Sequence, residues 1–214
     1  MVLIVSDSSR LILKGIYKSY GEQSIIENLS VSFEYNGIYS LFGPSGCGKT
    51  TLLHGMLGIV PFDQGDISGL SGRRIAVVFQ EERLLPWSTV EQNVLLVLKH
   101  HYPKELAKQK VDYYLEAVNL INYKHSYPRQ LSGGMRQRVA IARALAYGGE
   151  VLILDEPFKG LDIKIKTKIM DLIRQEYKQA NKICLLVTHD RFEADYLADE
   201  VYYFEGPPLK LNKT

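Results

Sequence analysis

The stretch Gly43-Pro44-Ser45-Gly46-Cys47-Gly48-Lys49-Thr50 concentrates groups that can handle a phosphate. Its glycines let backbone N–H groups turn toward an anion, Lys49 can reach β and γ phosphates, and the Thr50 hydroxyl can ligate Mg²⁺. The competing reading is an ordinary glycine-rich turn, and the strand pattern before it and the helix pattern after it weigh against that. Later in the chain Val151-Leu152-Ile153-Leu154 runs into Asp155-Glu156-Pro157, the pattern of a buried strand ending in two carboxylates. Asp155 is placed to hold Mg²⁺ through its water shell, and Glu156 to take a proton from a water attacking a γ phosphate. Alone the pair would read as an exposed acidic strand end; beside a phosphate loop the catalytic reading is preferred. A third element, Leu131-Ser132-Gly133-Gly134-Met135-Arg136-Gln137-Arg138, opens a helix that runs to Ala146. Ser132 and the N–H groups of Gly133 and Gly134 offer a second anion-binding surface. By physics alone, and in isolation, the preferred reading is a helix cap and nothing more.

The elements that must hold these groups follow from periodicity. Leu11 to Tyr17 and Leu29 to Phe33 alternate apolar and polar residues, with turn residues at Tyr20-Gly21 and Asn36-Gly37, and predict antiparallel strands. After Leu41 short apolar strands alternate with helices, which predicts a parallel sheet with crossovers. The expected strands are Gly37 to Phe42, Ile75 to Phe79, Val151 to Leu154, Ile183 to Thr188 and Val201 to Phe204. From Gln80 to Gln130 no strand is evident. Ser88-Thr89-Val90-Glu91 reads as a capping box and Pro103 as the first residue of a helix. Helices are expected over Thr89 to His100 and Pro103 to Leu120, followed by an extended Tyr127-Pro128-Arg129-Gln130, so that residues 81–130 form a helical insert. Asp162 to Ala180 predicts an amphipathic helix.

A chain of 214 residues fits one domain, and 46% hydrophobic with 23% charged residues is the composition of a globular protein with a real core. A net charge of +2 does not advertise nucleic acid or an acidic membrane surface. The longest weakly charged apolar run, Thr50 to Phe62, falls short of the roughly 18 residues of a membrane helix. Met1 to Arg10 lacks a basic leader and a cleavage site and makes a poor signal peptide. Cys47 and Cys184 suit a reducing compartment, with neither a disulfide framework nor a metal cluster expected.

Taken in order, these motifs resemble those of the nucleotide-binding subunits of ATP-binding cassette transporters, over about residues 11–206. The Leu131-Ser132-Gly133-Gly134 signature followed by Arg138 is the most specific part. The resemblance implies an α/β fold: a P-loop NTPase core with a mainly parallel sheet, an N-terminal antiparallel β-subdomain and an inserted helical subdomain. It implies that Tyr20 stacks on adenine, with Tyr17 the nearby competitor, and that Gly43, Pro44, Ser45, Gly46, Cys47, Gly48, Lys49, Thr50 and Thr51 hold the phosphates. Gln80 would touch Mg²⁺ and the attacking water, beside Thr50 and Asp155, although it could be merely a polar strand end. His189 would act as the switch histidine at the γ phosphate. Asp162, in Gly160-Leu161-Asp162, would lie at a dimer interface, although Lys159 stands where a small residue is expected. His54, His100, His101 and His125 match nothing in the pattern.

The mechanism so implied sandwiches ATP between one chain's phosphate loop and the Ser132-Gly133-Gly134 of a second chain, with Glu156, His189, Gln80 and Lys49 as the catalytic set. Val78 to Trp87, Asp155-Glu156-Pro157-Phe158 and Glu205-Gly206-Pro207-Pro208 resemble the ATPases of nitrate, sulfonate and taurine importers. Leu84, Leu85 and Trp87 would line a groove for a partner's helix or else pack inside the helical insert. The expected partners are a second ATPase chain, a transmembrane permease and an extracytoplasmic solute-binding protein, with no nucleic acid. The expected location is cytoplasmic, on the inner face of the membrane. With the sequence ending at Thr214, no added regulatory domain is expected. The alternatives are another transport system of the family, an exporter or a lipid or peptide system, and a soluble relative that clamps nucleic acid. No coiled coil, fused second cassette or basic stripe supports that last one.

Overall fold

In a computed structural model that describes residues 9–178 and 181–212, alternation of apolar and polar residues becomes a three-stranded antiparallel sheet. Strand β1 (Arg10–Tyr20) lies between β2 (Gln23–Glu34) and a later strand, β4 (Gln64–Ser68). Leu11, Leu13 and Ile16 of β1 and Leu29, Val31 and Phe33 of β2 are buried, the one-sided pattern of a sheet with a single wet face. The chain divides into two compact units, Met1–Arg73 with Tyr177–Thr214, and Arg74–Glu176.

The first unit holds this sheet and a second set of strands. There β3 (Gly37–Phe42) pairs in parallel with β7 (Ile183–Thr188) on one side and β8 (Glu200–Glu205) on the other, and β8 pairs antiparallel with β9 (Lys210–Asn212). All six residues of β7 are buried, as expected of a central parallel strand. Helix α1 (Lys49–Met56) follows β3 through the glycine-rich loop, and α6 (Arg191–Leu197) follows β7.

The second unit has the parallel pair β5 (Ile75–Val78) and β6 (Val151–Asp155), with α2 (Val90–Leu95), α3 (Lys104–Ala117), α4 (Gly133–Tyr147) and α5 (Ile163–Tyr177). Apart from α2, which is shorter, these bounds stay close to those expected. Among the described residues no strand lies between Gln80 and Gln130. The α/β class and the mostly parallel pairing are as expected.

Several local expectations are corrected. The capping box that opens α2 belongs to Thr89 and Gln92, one residue later than expected: the Gln92 N–H donates to the Thr89 hydroxyl at 3.3 Å, and the Thr89 N–H to Gln92 Oε1 at 2.9 Å. Ser88 is taken up by the preceding turn, its N–H on the Leu85 carbonyl at 3.1 Å and its own carbonyl held by the Asn93 amide at 3.1 Å. Helix α2 ends at Leu95, and short turns lead on to Tyr102. Pro103 is the cap of α3, its carbonyl accepting the Ala107 N–H at 2.9 Å. Pro128–Gln130 forms a 3₁₀ turn where an extended segment was expected; the Gln130 side chain turns back to accept the Tyr127 N–H at 2.7 Å. Strands β4 and β9 were not foreseen. Helix α5 is described to Tyr177, so the expected end at Ala180 lies outside the described residues, as do most of Met1 to Arg10 and the terminal Thr214.

Candidate functional site

In the first unit the loop from Gly43 to Gly48 is shaped by backbone contact. A Cβ on Gly43 would sit 2.2 Å from the Phe204 carbonyl oxygen of β8, and one on Gly48 would meet the Ile25 side chain at 3.1 Å and Leu209 at 3.3 Å. Gly46 and Gly48 adopt φ of 81° and 113°, values open to glycine at little cost. Lys49, the first residue of α1, is buried and folds back so that its Nζ donates to the carbonyls of Gly43 at 2.8 Å and Pro44 at 2.7 Å. The Cys47 sulfur lies 3.5 Å from the same nitrogen. Gly48 stands at the N-cap of α1 and no side chain caps the helix, the arrangement in which a helix start receives an anion on its N–H groups. Pro44, Ser45, Gly46 and Thr50 are exposed and Thr51 half-buried. The result is an open-topped cradle with a buried ammonium across its floor.

Tyr20 ends β1, opposite Gln23 in the hairpin, and about half of it is exposed. Two residues beyond Gln23, Ile25 occupies the space a Cβ on Gly48 would need, and its carbonyl accepts the Leu209 N–H at 2.7 Å, so the Tyr20 hairpin lies beside the loop through β2. Lys18 Nζ is 5.4 Å from the Tyr20 ring centroid and pairs with Asp63 at 2.8 Å. The hydrogen bond from Lys18, with a second from the Ser19 N–H, holds the Asp63 carboxyl below its ordinary range. Tyr17 is half-buried within the strand. His189 is exposed at the end of β7, directly before Asp190, which caps α6.

In the second unit Asp155 is buried at the end of β6, and Glu156 follows with φ of 45°, a left-handed conformation costly for a residue with a side chain. The turn is fixed by Gln137 of α4, itself 4% exposed, whose Nε2 donates to the Pro157 carbonyl at 2.9 Å. Ser132 caps α4, accepting the Met135 N–H at 3.3 Å, and Gly133 beside it is exposed. Gly134 lies against the next loop: a Cβ there would be 2.9 Å from the Gly160 carbonyl. Asp162 receives the Ile165 N–H at 3.1 Å and the Lys166 N–H on its carbonyl at 2.9 Å, so it opens α5. Lys159, the departure from the family pattern, is exposed.

Gln80 is exposed at the start of a loop anchored by two arginines of α4. Arg143 donates to the carbonyls of Arg83 at 2.9 Å and Glu82 at 3.0 Å, and Arg136 pairs with the Glu82 carboxylate at 3.3 Å. Burial moves the Arg143 guanidinium below its usual pKa. Further on, buried Asn93 accepts the Leu85 N–H at 2.8 Å and donates to the carbonyls of Leu85, Ser88 and Thr89. The turn this amide ties together presents Trp87, 73% exposed, while Leu84 and Leu85 are half-buried.

Residues 26–159 match the ABC transporter family. The chain belongs to the ABC transporter family. This ABC protein is 41% identical over 199 residues to the aliphatic sulfonates import ATP-binding protein SsuB of Bacillus subtilis (strain 168), covering 90% of this chain and 77% of that one. A second relative, the aliphatic sulfonates import ATP-binding protein SsuB 2 of Pseudomonas syringae pv. tomato, is 39% identical over 191 residues, with 89% and 80% covered. Among solved structures, an ATP-binding cassette seen as a dimer in a post-hydrolysis state bound to ADP and Pi matches with a TM-score of 0.82 at 29% identity, over 90% of this chain and 93% of that one. This ABC protein is therefore an ATP-binding protein and an ATP hydrolase.

Gln137, Arg143 and Asn93 had no role in the motifs. Gln137 and Arg143 lie on a helix whose other inward positions are apolar, and a polar residue in step with Val139, Ala140 and Ala144 was the available signal. Asn93, among the apolar positions of α2, carried the same signal.

Proposed function

We propose that this ABC protein is the ATP-hydrolysing subunit of an importer for small organic solutes of the sulfonate type, working on the cytoplasmic face of a membrane permease. The observation that carries the reading is the 41% identity, along 90% of the chain, to an aliphatic sulfonates import ATP-binding protein. Among the described residues no helix is long and apolar enough to cross a membrane. In this reading transport runs through a separate permease fed by an extracytoplasmic binding protein. The chain acts as one ATPase domain with the helical insert at 81–130. The exporter and nucleic-acid alternatives find no support in these relatives.

The roles follow the chemistry of each residue. The cradle from Gly43 to Thr51 holds the phosphates, with Lys49 giving up its carbonyl partners for phosphate oxygens. Tyr20 stacks on adenine. Glu156 accepts the proton of the attacking water, and Gln80 and His189 orient that water and the γ phosphate. Ser132, Gly133 and Gly134 present a capped helix start to the nucleotide held by a second copy, and Asp162 lies along that same interface. Among the described residues no group of three His, Cys, Asp or Glu side chains forms a metal cage. The Thr50 hydroxyl, the Gln80 amide and the Asp155 carboxylate would hold a Mg²⁺ beside the nucleotide, Asp155 through water. When bound, the ion supplies neutralisation of charge on the β and γ phosphates. The exposed Trp87 with Leu84 and Leu85 forms the face that receives the permease.

The test is the solution mass of Glu156→Gln protein with and without ATP and Mg²⁺. A monomer that becomes a dimer on adding ATP is the expected outcome, because each nucleotide must bridge two chains. A protein that binds ATP and stays monomeric overturns the homodimeric sandwich. Loss of uptake of an aliphatic sulfonate by cells lacking the chain, restored by the wild type and not by Glu156→Gln, tests the solute; unchanged uptake removes it.

A further inference from the structure

The turn between β7 and α6 contains more hydrogen bonding than a helix start requires. Asp190 already caps α6, its Oδ1 accepting the N–H of Phe192 at 2.9 Å and of Glu193 at 3.4 Å, which is sufficient to begin a short helix. Added to it, and buried, is a second link: the Thr188 hydroxyl donates to Glu193 Oε2 at 2.5 Å and accepts the Asp190 N–H at 3.0 Å. Thr188 is 2% exposed and Glu193 5%. A carboxylate is an expensive group to place there when an apolar residue would serve the inner face of α6. A short hydroxyl-to-carboxylate bond is the strong, charge-assisted kind. Threonine adds stiffness, since its branched Cβ restricts the rotation that aims the hydroxyl.

The residue enclosed by these links is His189. Its neighbour on one side is pinned through its side chain to α6. Its neighbour on the other is pinned through its backbone N–H to Thr188 and through its carboxylate to the first N–H groups of the helix. With both flanking peptides fixed, the Cα–Cβ direction of His189 is fixed too, and the imidazole is left exposed at the strand end. We propose that the buried Thr188–Glu193 pair is a positioning device for His189, holding the imidazole in the one direction useful for hydrolysis. This rests on the assignment of His189 to the γ phosphate made above. Neither Thr188 nor Glu193 touches the nucleotide in this scheme; both act through the turn.

The experiment compares Thr188→Val, which keeps the branched shape and removes the hydroxyl, with Thr188→Ser, which keeps the hydroxyl. Both are measured in the full chain for kcat, KM for ATP, melting temperature and the imidazole proton resonance of His189. Thr188→Val is expected to lower kcat about 100-fold, the scale of a 1 Å misplacement of a reacting group, with KM held and the His189 resonance shifted. Thr188→Ser is expected to recover most of the rate and the wild-type resonance. Glu193→Gln, which keeps an oxygen to accept the hydroxyl without the charge, is expected to fall between them and remains informative if Thr188→Val does not fold. A Thr188→Val protein that melts lower but turns over at the wild-type kcat has lost only a structural bond and overturns the proposal. The control is His189→Ala. If its kcat matches wild type, the role given to His189 fails first; if its kcat collapses while Thr188→Val and Glu193→Gln are unaffected, the positioning inference alone is wrong.

Discussion

Replacing Gln137 with Leu probes the support beneath the proposed catalytic base without touching it. The Gln137 amide is 4% exposed and gives one N–H to the Pro157 carbonyl at 2.9 Å. Leucine has nearly the same volume and keeps the packing of α4, so the change isolates that hydrogen bond. A buried carbonyl left without its donor costs about 1–3 kcal/mol. In a chain of this size each kcal/mol moves the melting temperature by roughly 2–4 °C, so a fall of about 2–12 °C is expected. The effect on activity is separate. The left-handed Glu156, one residue before the anchored carbonyl, holds its φ of 45° against a preference of about 1–3 kcal/mol for ordinary conformations. Released from Gln137, the turn relaxes and the carboxylate leaves its place. ATP hydrolysis should then fall by about 10–100-fold while nucleotide affinity stays near wild type, since the proposed phosphate cradle lies elsewhere in the chain. The assay is steady-state turnover beside equilibrium binding of ATP, with calorimetry for stability. A Gln137→Leu protein that melts several degrees lower yet hydrolyses ATP at the wild-type rate would refute the link between this anchor and Glu156.

Two other changes test separate parts of the molecule. Trp87→Ala should leave ATP affinity unchanged and stability within about 0.5 kcal/mol, because the ring is 73% exposed, while weakening co-purification with the permease; loss of stability with permease binding intact would make it a packing residue. Asp63→Asn removes a carboxylate whose folded-state pKa is depressed by Lys18, so the stabilisation it provides is present above the unfolded pKa and is lost as pH falls through the folded one. Wild type should therefore be more stable than Asp63→Asn at neutral pH, the two should converge in strong acid, and a gap independent of pH would assign the effect to something other than the charge.

Where the sequence analysis succeeded, local chemistry and tertiary structure agreed. The glycine-rich loop joins a strand to a helix, and the apolar run into Asp155 and the alternation in β1 are strands, each as its local pattern required. The errors fall where two local solutions were nearly equal. Ser88 with Glu91 and Thr89 with Gln92 spell the same capping box one residue apart, and the choice was made by Asn93, which draws the Ser88 carbonyl into the earlier turn. Strand β4, Gln64–Ser68, is polar and mostly exposed, so nothing in its pattern announced a strand; its backbone pairing with β1 creates it. Gln137 was quoted within the signature without a role, because its partner carbonyl lies twenty residues away and only folding brings the two together.

The walls around the phosphate loop bear on how nucleotide binding would look in a calorimeter. Gly43 abuts a strand carbonyl, Gly48 is pressed by Ile25 and Leu209, and Lys49 is already tied down. A loop confined in this way has few other shapes to lose when a nucleotide arrives. Capturing a single nucleotide should thus carry a small ordering penalty and a heat that varies little with temperature. A large heat-capacity change would be reserved for the later event in which a second protein surface is covered, so the temperature dependence of the measured heat would separate loading from assembly.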